Sequence, residues 1–216
     1  MRPPIVAPAL LALILLAGCP PSRGGERPEI VRATIGAQEY FVPRAYLTLP
    51  GKGLPPTSIY VLAFYPDFRP AWDSHNTIWK EGKWKQNINI LAAYSPSPAP
   101  IEAQLNSAIA LLHATEPKGR EHGLDHFTQP DGEVQDHRDI WIERSQDNLA
   151  AASYVTCGDK KCALYFLWNS KFFVTTSFFR SLLPEWKLIK GESVDLLDSF
   201  RSEEAAIRYL SSKATD

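Results

Sequence analysis

The runs DIWIER (139–144), AASYVTC (151–157), CALYFLW (162–168) and KFFVTTSF (171–178) decide the fold class. Each is short and rich in β-branched and aromatic residues, and polar turn residues separate it from the next, which is the pattern of a strand meander. Asn169-Ser170 between the last two runs reads as a tight turn, and Gly158-Asp159-Lys160-Lys161 between Cys157 and Cys162 is turn chemistry.

Upstream of the meander, Ile101, Leu105, Ala108, Ile109 and Leu112 fall at i, i+4, i+7, i+8 and i+11. This apolar stripe predicts a helix that enters at a proline and packs across a sheet face. Downstream, Pro184 breaks the strand pattern and Trp186 is expected to cover the core. Val194, Leu196, Leu197 and Phe200, then Ala205, Ala206, Tyr209 and Leu210, return to helical spacing, with Ser202 as N-cap and Glu203 and Glu204 in the first turn. Ser58 to Phe64 and Asn87 to Ala93 read as buried strands. Two short strands flank Gly36-Ala37, and Pro43 to Pro50 is an irregular turn with Tyr46 and Leu47 packed inward. Thr115 to Arg138 is polar and punctuated by Gly and Pro, and is expected to be a long loop or a pair of turns. The fold expected is one α+β domain over 29–216, a mostly antiparallel sheet with about three helices on one side.

Composition excludes a nucleic-acid binder, because the 216 residues carry a formal net charge of only −1. A 44% apolar and 11% aromatic content describes a globular chain with one good core. The N-terminus is different. Arg2 precedes an apolar run from Ile5 to Leu16, which is about a dozen residues against the roughly 20 that span a bilayer as a helix. Leu16-Ala17-Gly18-Cys19 then resembles the lipobox of bacterial lipoprotein precursors. That resemblance implies an export signal over 1–18, acylation of Cys19 and cleavage before it. Pro20 and Pro21 follow with no acid beside the cysteine, which by the enterobacterial sorting rule implies the inner leaflet of the outer membrane. Residues 19–28 read as a flexible tether.

The remaining cysteines, Cys157 and Cys162, would lie opposite one another across a hairpin in an oxidising compartment, so a disulfide is the expected reading. The alternative is a metal or redox pair, although a second metal-binding pair is missing and redox pairs usually have two intervening residues.

Two segments are candidates for function. Between Pro66 and Lys85, Trp72, Trp79 and Trp84 stand among charged neighbours, as interface anchors do. The alternative is a lid folded on the sheet, or a strand pair around Glu81-Gly82-Lys83. The segment from Glu121 to Asp139 holds His122, His126 and His137 with Asp125, Asp131, Glu133 and Asp136. It could present an acidic surface to a partner, or its histidines could hold zinc, but Gly123 argues against the helix that would put His122 and His126 on one face. No Gly-x-Ser-x-Gly elbow, phosphate loop or dinucleotide fingerprint occurs, and no cofactor is implied.

Val42-Pro43-Arg44-Ala45-Tyr46-Leu47, Tyr65-Pro66-Asp67, Gly123-Leu124, the Cys157 to Cys162 hairpin, and Leu183-Pro184-Glu185-Trp186 with Val194 to Phe200 together resemble a group of bacterial periplasmic proteins. That group includes immunity partners of type VI secretion toxins. The resemblance implies a periplasmic lipoprotein that binds and neutralises a secreted antibacterial effector, with no catalytic residues. The other readings are a structural envelope lipoprotein of an outer-membrane assembly and a metal-dependent envelope hydrolase.

Overall fold

The computed structural model describes residues 28–47, 57–71, 83–130, 138–146 and 150–213. Cys19, the 19–28 tether up to residue 27, Trp72, Trp79, Asp131, Glu133, Asp136 and His137 lie outside the described residues.

β1 (Ile30–Ile35) and β2 (Gln38–Pro43) form a separate two-stranded hairpin. The other strands build one nine-stranded antiparallel sheet. They are β3 (Ser58–Phe64), β4 (Arg69–Pro70), β5 (Asn87–Tyr94), β6 (Glu116–Glu121), β7 (Leu124–Thr128), β8 (Asp139–Arg144), β9 (Ala151–Cys157), β10 (Lys161–Trp168) and β11 (Phe172–Phe179), in the order β4-β3-β5-β11-β10-β9-β8-β7-β6. After β5 the chain crosses the sheet through α1 (Ile101–Leu112) to the far edge at β6. It then meanders back one strand at a time until β11 pairs with β5. A 3-10 turn (Arg180–Glu185) leads to α2 (Trp186–Ser199) and α3 (Glu203–Lys213).

The sheet is thus α+β and antiparallel as expected, but its helices divide between its two faces. Successive side chains of a strand point to opposite faces, and here both sets are apolar. Tyr154, Tyr165, Leu167 and Phe173 pack with Ile101 and Leu105 of α1. Val155, Leu164, Phe166 and Val174 pack in the main core with Trp186, Ile189, Leu196 and Leu197 of α2. The β1–β2 hairpin joins this second layer, since Phe41 N donates to Phe200 O at 2.8 Å. Ser202 Oγ caps α3 by accepting from Ala205 N at 3.2 Å.

The segment Thr115 to Arg138 is not only loop. Its first half is the β6–β7 hairpin, closed by His122 and Gly123, both at positive φ. Edge strand β6 carries Pro117, Lys118 and Arg120 and a register shift between Pro117 and Gly119, features that discourage another strand from adding to this edge.

Elements far apart in sequence meet through tyrosine and tryptophan. Tyr46, fully buried, donates its hydroxyl to Phe68 O at 2.9 Å and so ties the turn after β2 to the turn after β3. Burial pushes the Tyr46 hydroxyl pKa far up, followed by the repulsion of Asp67 and Glu192. Trp186 Nε1 donates to His122 O at 2.9 Å, anchoring the β6–β7 turn to the start of α2.

Candidate functional site: an open sheet face

α1 is narrower than the sheet and leaves part of its face uncovered. The cause lies in side-chain size along cross-strand ranks. Asn89, Ser177, Ala163 and Thr156 are register partners across β5, β11, β10 and β9, and form a rank of small residues. On one side stands a taller rank, Tyr60, Leu91, Thr175, Tyr165 and Tyr154. On the other are Phe179 and its register partner Lys161. Small residues between large ones leave a depression of about 1110 Å³, lined also by Arg138 and the Asp159-Lys160 turn.

This surface is partly apolar and exposed. Tyr60 and Leu91 are each 38% accessible, whereas Ile59, Val61, Ile90 and Ala92 on the same strands are fully buried. Tyr60 and Leu91 are cross-strand register partners, so their exposed parts adjoin beside the depression. The expectation that Ser58–Phe64 and Asn87–Ala93 are buried strands is corrected accordingly: one face of each is buried, and the other is open at Tyr60 and Leu91 although Phe64 at the end of β3 packs on Ala71. Asn87 and Asn89, alternating with isoleucines, were the sequence signal for this open face.

The Cys157–Cys162 disulfide closes the β9–β10 hairpin beside the depression. The two residues are direct register partners with Cα atoms 4.0 Å apart, the close spacing of a pair that does not exchange backbone hydrogen bonds. At the next pair Gly158 N donates to Lys161 O at 3.0 Å.

The histidine segment lies on the opposite face and forms a brace. The His126 ring stacks on Trp141, with centroids 4.4 Å apart and planes 8° from parallel. Its Nδ1 is 3.5 Å from Glu121 Oε2, and its Nε2 lies 3.4 Å from Asp139 Oδ1 without hydrogen-bond geometry. Glu121 also receives Trp141 Nε1 at 3.2 Å and sits 3.3 Å from His122 Nε2. It therefore brings His122 and His126 to one carboxylate without a helix. Arg180 pairs with Asp139, donates to Gly158 O at 3.1 Å and stands over the Trp141 ring. Burial alone would raise the Asp139 pKa, but hydrogen bonds from Arg180 and Thr128, the Arg180 charge and His126 more than offset this and hold the carboxyl below its usual range. The cluster links β6, β7 and β8 to the 3-10 turn before α2. Among the described residues, no three His, Cys, Asp or Glu side chains gather as a metal ion would require.

Asp125 stands on β7, not in a loop, with its carboxylate 3.1 Å from Arg144 Nε. Trp84 lies in the 3-10 turn Lys83–Gln86 that leads into β5. Among the described residues, no helix is long and apolar enough to cross a membrane.

No family model and no curated protein matches the sequence. Solved structures match the fold. The chain shares its fold with a secretion-system immunity protein. That protein, Smlt3025 of the Stenotrophomonas maltophilia type IV secretion system, aligns with a TM-score of 0.61 at 16% identity over 80% of this chain and 93% of its own. The iron-regulated outer membrane lipoprotein FrpD of Neisseria meningitidis aligns with a TM-score of 0.52 at 11% identity, over 80% of this chain and 92% of its own. At such identities the likeness establishes the fold.

Proposed function

We propose that this chain is an immunity-type lipoprotein, held in the periplasm through lipid on Cys19, that neutralises a secreted antibacterial effector by binding it on the open sheet face. The observation that carries the reading is the depression in the sheet face with Tyr60 and Leu91 exposed at its wall. The fold shared with an immunity protein and with an outer membrane lipoprotein supports it, as do the Leu16-Ala17-Gly18-Cys19 sequence and the periplasmic resemblance. Type VI delivery is the version that the sequence resemblance favours; the structural relative belongs to a type IV system. Trp72, Trp79 and Trp84, and Asp131, Glu133 and Asp136, are secondary contact candidates.

Affinity capture from the native organism tests this reading, with the oxidised full-length chain as bait and mass spectrometry to identify what stays bound. A single stoichiometric secreted protein, toxic when expressed alone, is the expected result. A set of resident envelope proteins would instead favour a scaffold in an outer-membrane assembly.

A further inference from the structure

The strand edges of this chain are not protected alike. β6 is guarded by Pro117, Lys118, Arg120 and a register shift, and β4, at the other end of the nine-stranded sheet, is two residues long and includes Pro70. β1 has none of these devices. Its six residues, Ile-Val-Arg-Ala-Thr-Ile, pair with β2 without a shift, and its one charge, Arg32, is matched by Glu203 Oε2 at 2.5 Å.

The register shows which backbone groups are left over. Arg44 N donates to Glu29 O at 2.8 Å, so Glu29 turns its backbone groups toward β2, and by alternation Val31, Ala33 and Ile35 do the same. Ile30, Arg32 and Thr34 therefore point their N–H and C=O groups away from β2. None of these groups meets a hydrogen-bond partner among the described residues. The side chains on the core side of β1 are also incompletely covered. Val31 and Ala33 are only partly buried, whereas their register partners on β2, Val42 and Tyr40, are fully buried. A strand added beside β1 would satisfy the outward backbone groups and cover Val31 and Ala33 together.

This edge is complementary to itself. With a twofold axis at Ala33, two copies of β1 run antiparallel, and Arg32 of each exchanges backbone hydrogen bonds with Thr34 of the other. Val31 then meets Ile35 of the second copy on the core side, and the two arginines do not stand opposite one another. A pair of six-residue strands is a small interface beside the roughly 1,200–2,000 Å² of a stable complex, so confinement has to favour it. Ile30 stands 30 − 19 = 11 residues after Cys19, a reach of at most about 40 Å. Lipid on Cys19 holds every β1 edge within that distance of one membrane surface and raises the local concentration of copies.

We infer that two copies of this chain pair through their β1 edges at the membrane, joining two β1–β2 hairpins into one four-stranded antiparallel sheet. The membrane part rests on the lipid anchor proposed above; the strand pairing does not rest on the effector reading. The two surfaces are separate, because β1 belongs to the layer on the side of the nine-stranded sheet opposite the Tyr60–Leu91 face.

The test is disulfide trapping of the full-length chain in intact cells of the native organism, read on non-reducing gels after free thiols are blocked. Opposed Ala33 residues form a pair without mutual backbone hydrogen bonds, whose Cα atoms lie about 4.5 Å apart, within reach of a disulfide. Ala33→Cys should give a band at twice the chain mass that disappears on reduction, above the background set by the wild-type chain with Cys19, Cys157 and Cys162. Ser211→Cys, exposed on α3, should give no more than that background. Adding Thr34→Pro removes an outward N–H that the β1–β2 ladder does not use, so the hairpin should persist, with Tm unchanged, and the dimer band should be lost. No dimer band from Ala33→Cys, whichever cell fraction holds the chain, overturns the inference. An equal band from Ser211→Cys, a band undiminished by Thr34→Pro in a folded chain, or a bond from Ala33→Cys to a different protein overturns it too. A dimer band that survives Cys19→Ser upholds the strand pairing and removes only the part played by the anchor.

Discussion

Strand β5 offers a sharp test of which surface is free, because neighbouring residues on it face opposite environments. Ile90 is fully buried against the α2 layer, while Leu91 on the other side is 38% accessible. Truncating a fully buried isoleucine removes its transfer energy and leaves a cavity, so Ile90→Ala should cost about 2–5 kcal/mol. Leu91→Ala leaves no closed cavity and forfeits only partial burial and some strand preference, about 1 kcal/mol or less. In a chain of this size that difference separates the variants by several degrees in Tm, at about 2–4 °C per kcal/mol. Urea denaturation is the assay, with midpoints compared at unchanged m so that the shift reports stability alone. Leu91→Gln should behave like Leu91→Ala. If Leu91→Ala cost as much as Ile90→Ala, something in the native chain would cover this face and the site would be lost.

Other consequences follow from the hairpins and the brace. Replacing Cys157 and Cys162 with alanine should cost about 2 kcal/mol, since the closed loop is short and chain entropy rises only with the logarithm of its length; thermal melts of oxidised and variant protein measure it. Asp139 has its pKa depressed by folding, so its stabilising contribution is fully present above the ordinary carboxylate range and disappears as pH falls through the lower folded value. Asp139→Asn should therefore be less stable than wild type at neutral pH, with the gap closing in acid, as a series of urea midpoints against pH would reveal. Gly36→Ala should destabilise by about 1–3 kcal/mol, because the backbone there has φ +63° and a Cβ would lie 2.5 Å from the Tyr94 ring; if calorimetry finds no loss, the β1–β2 turn is not held as described.

Periodicity made the α1 helix and the β8–β11 meander readable in advance, since Ile101 to Leu112 repeats at helical spacing and each meander run is too short and too β-branched for a helix. It could not say on which face each helix lies. Tyr154 and Val155, or Tyr165 and Phe166, are equally apolar neighbours that point in opposite directions, so helices on both faces were concealed in the pattern. Strand β6 escaped because Glu-Pro-Lys-Gly-Arg-Glu has no apolar side chain to alternate; its extended form comes from pairing with β7, whose Leu124 and Phe127 supply the buried contacts. The open face was hidden for a related reason. Tyr60 and Leu91 look like core residues in an apolar run; Asn87 and Asn89 mark the open side of β5, but the size of the cross-strand neighbours, set by register, is what leaves Tyr60 and Leu91 beside a depression.

The central claim is that the Tyr60–Leu91 face binds and silences a secreted effector. Its most direct measurement is growth of cells expressing the captured effector in the periplasm, together with either the wild-type chain or a folded Tyr60→Ala, Leu91→Gln variant. The account predicts that the wild-type chain restores growth and the variant does not. Full protection by the variant, or none by the wild type, would contradict it.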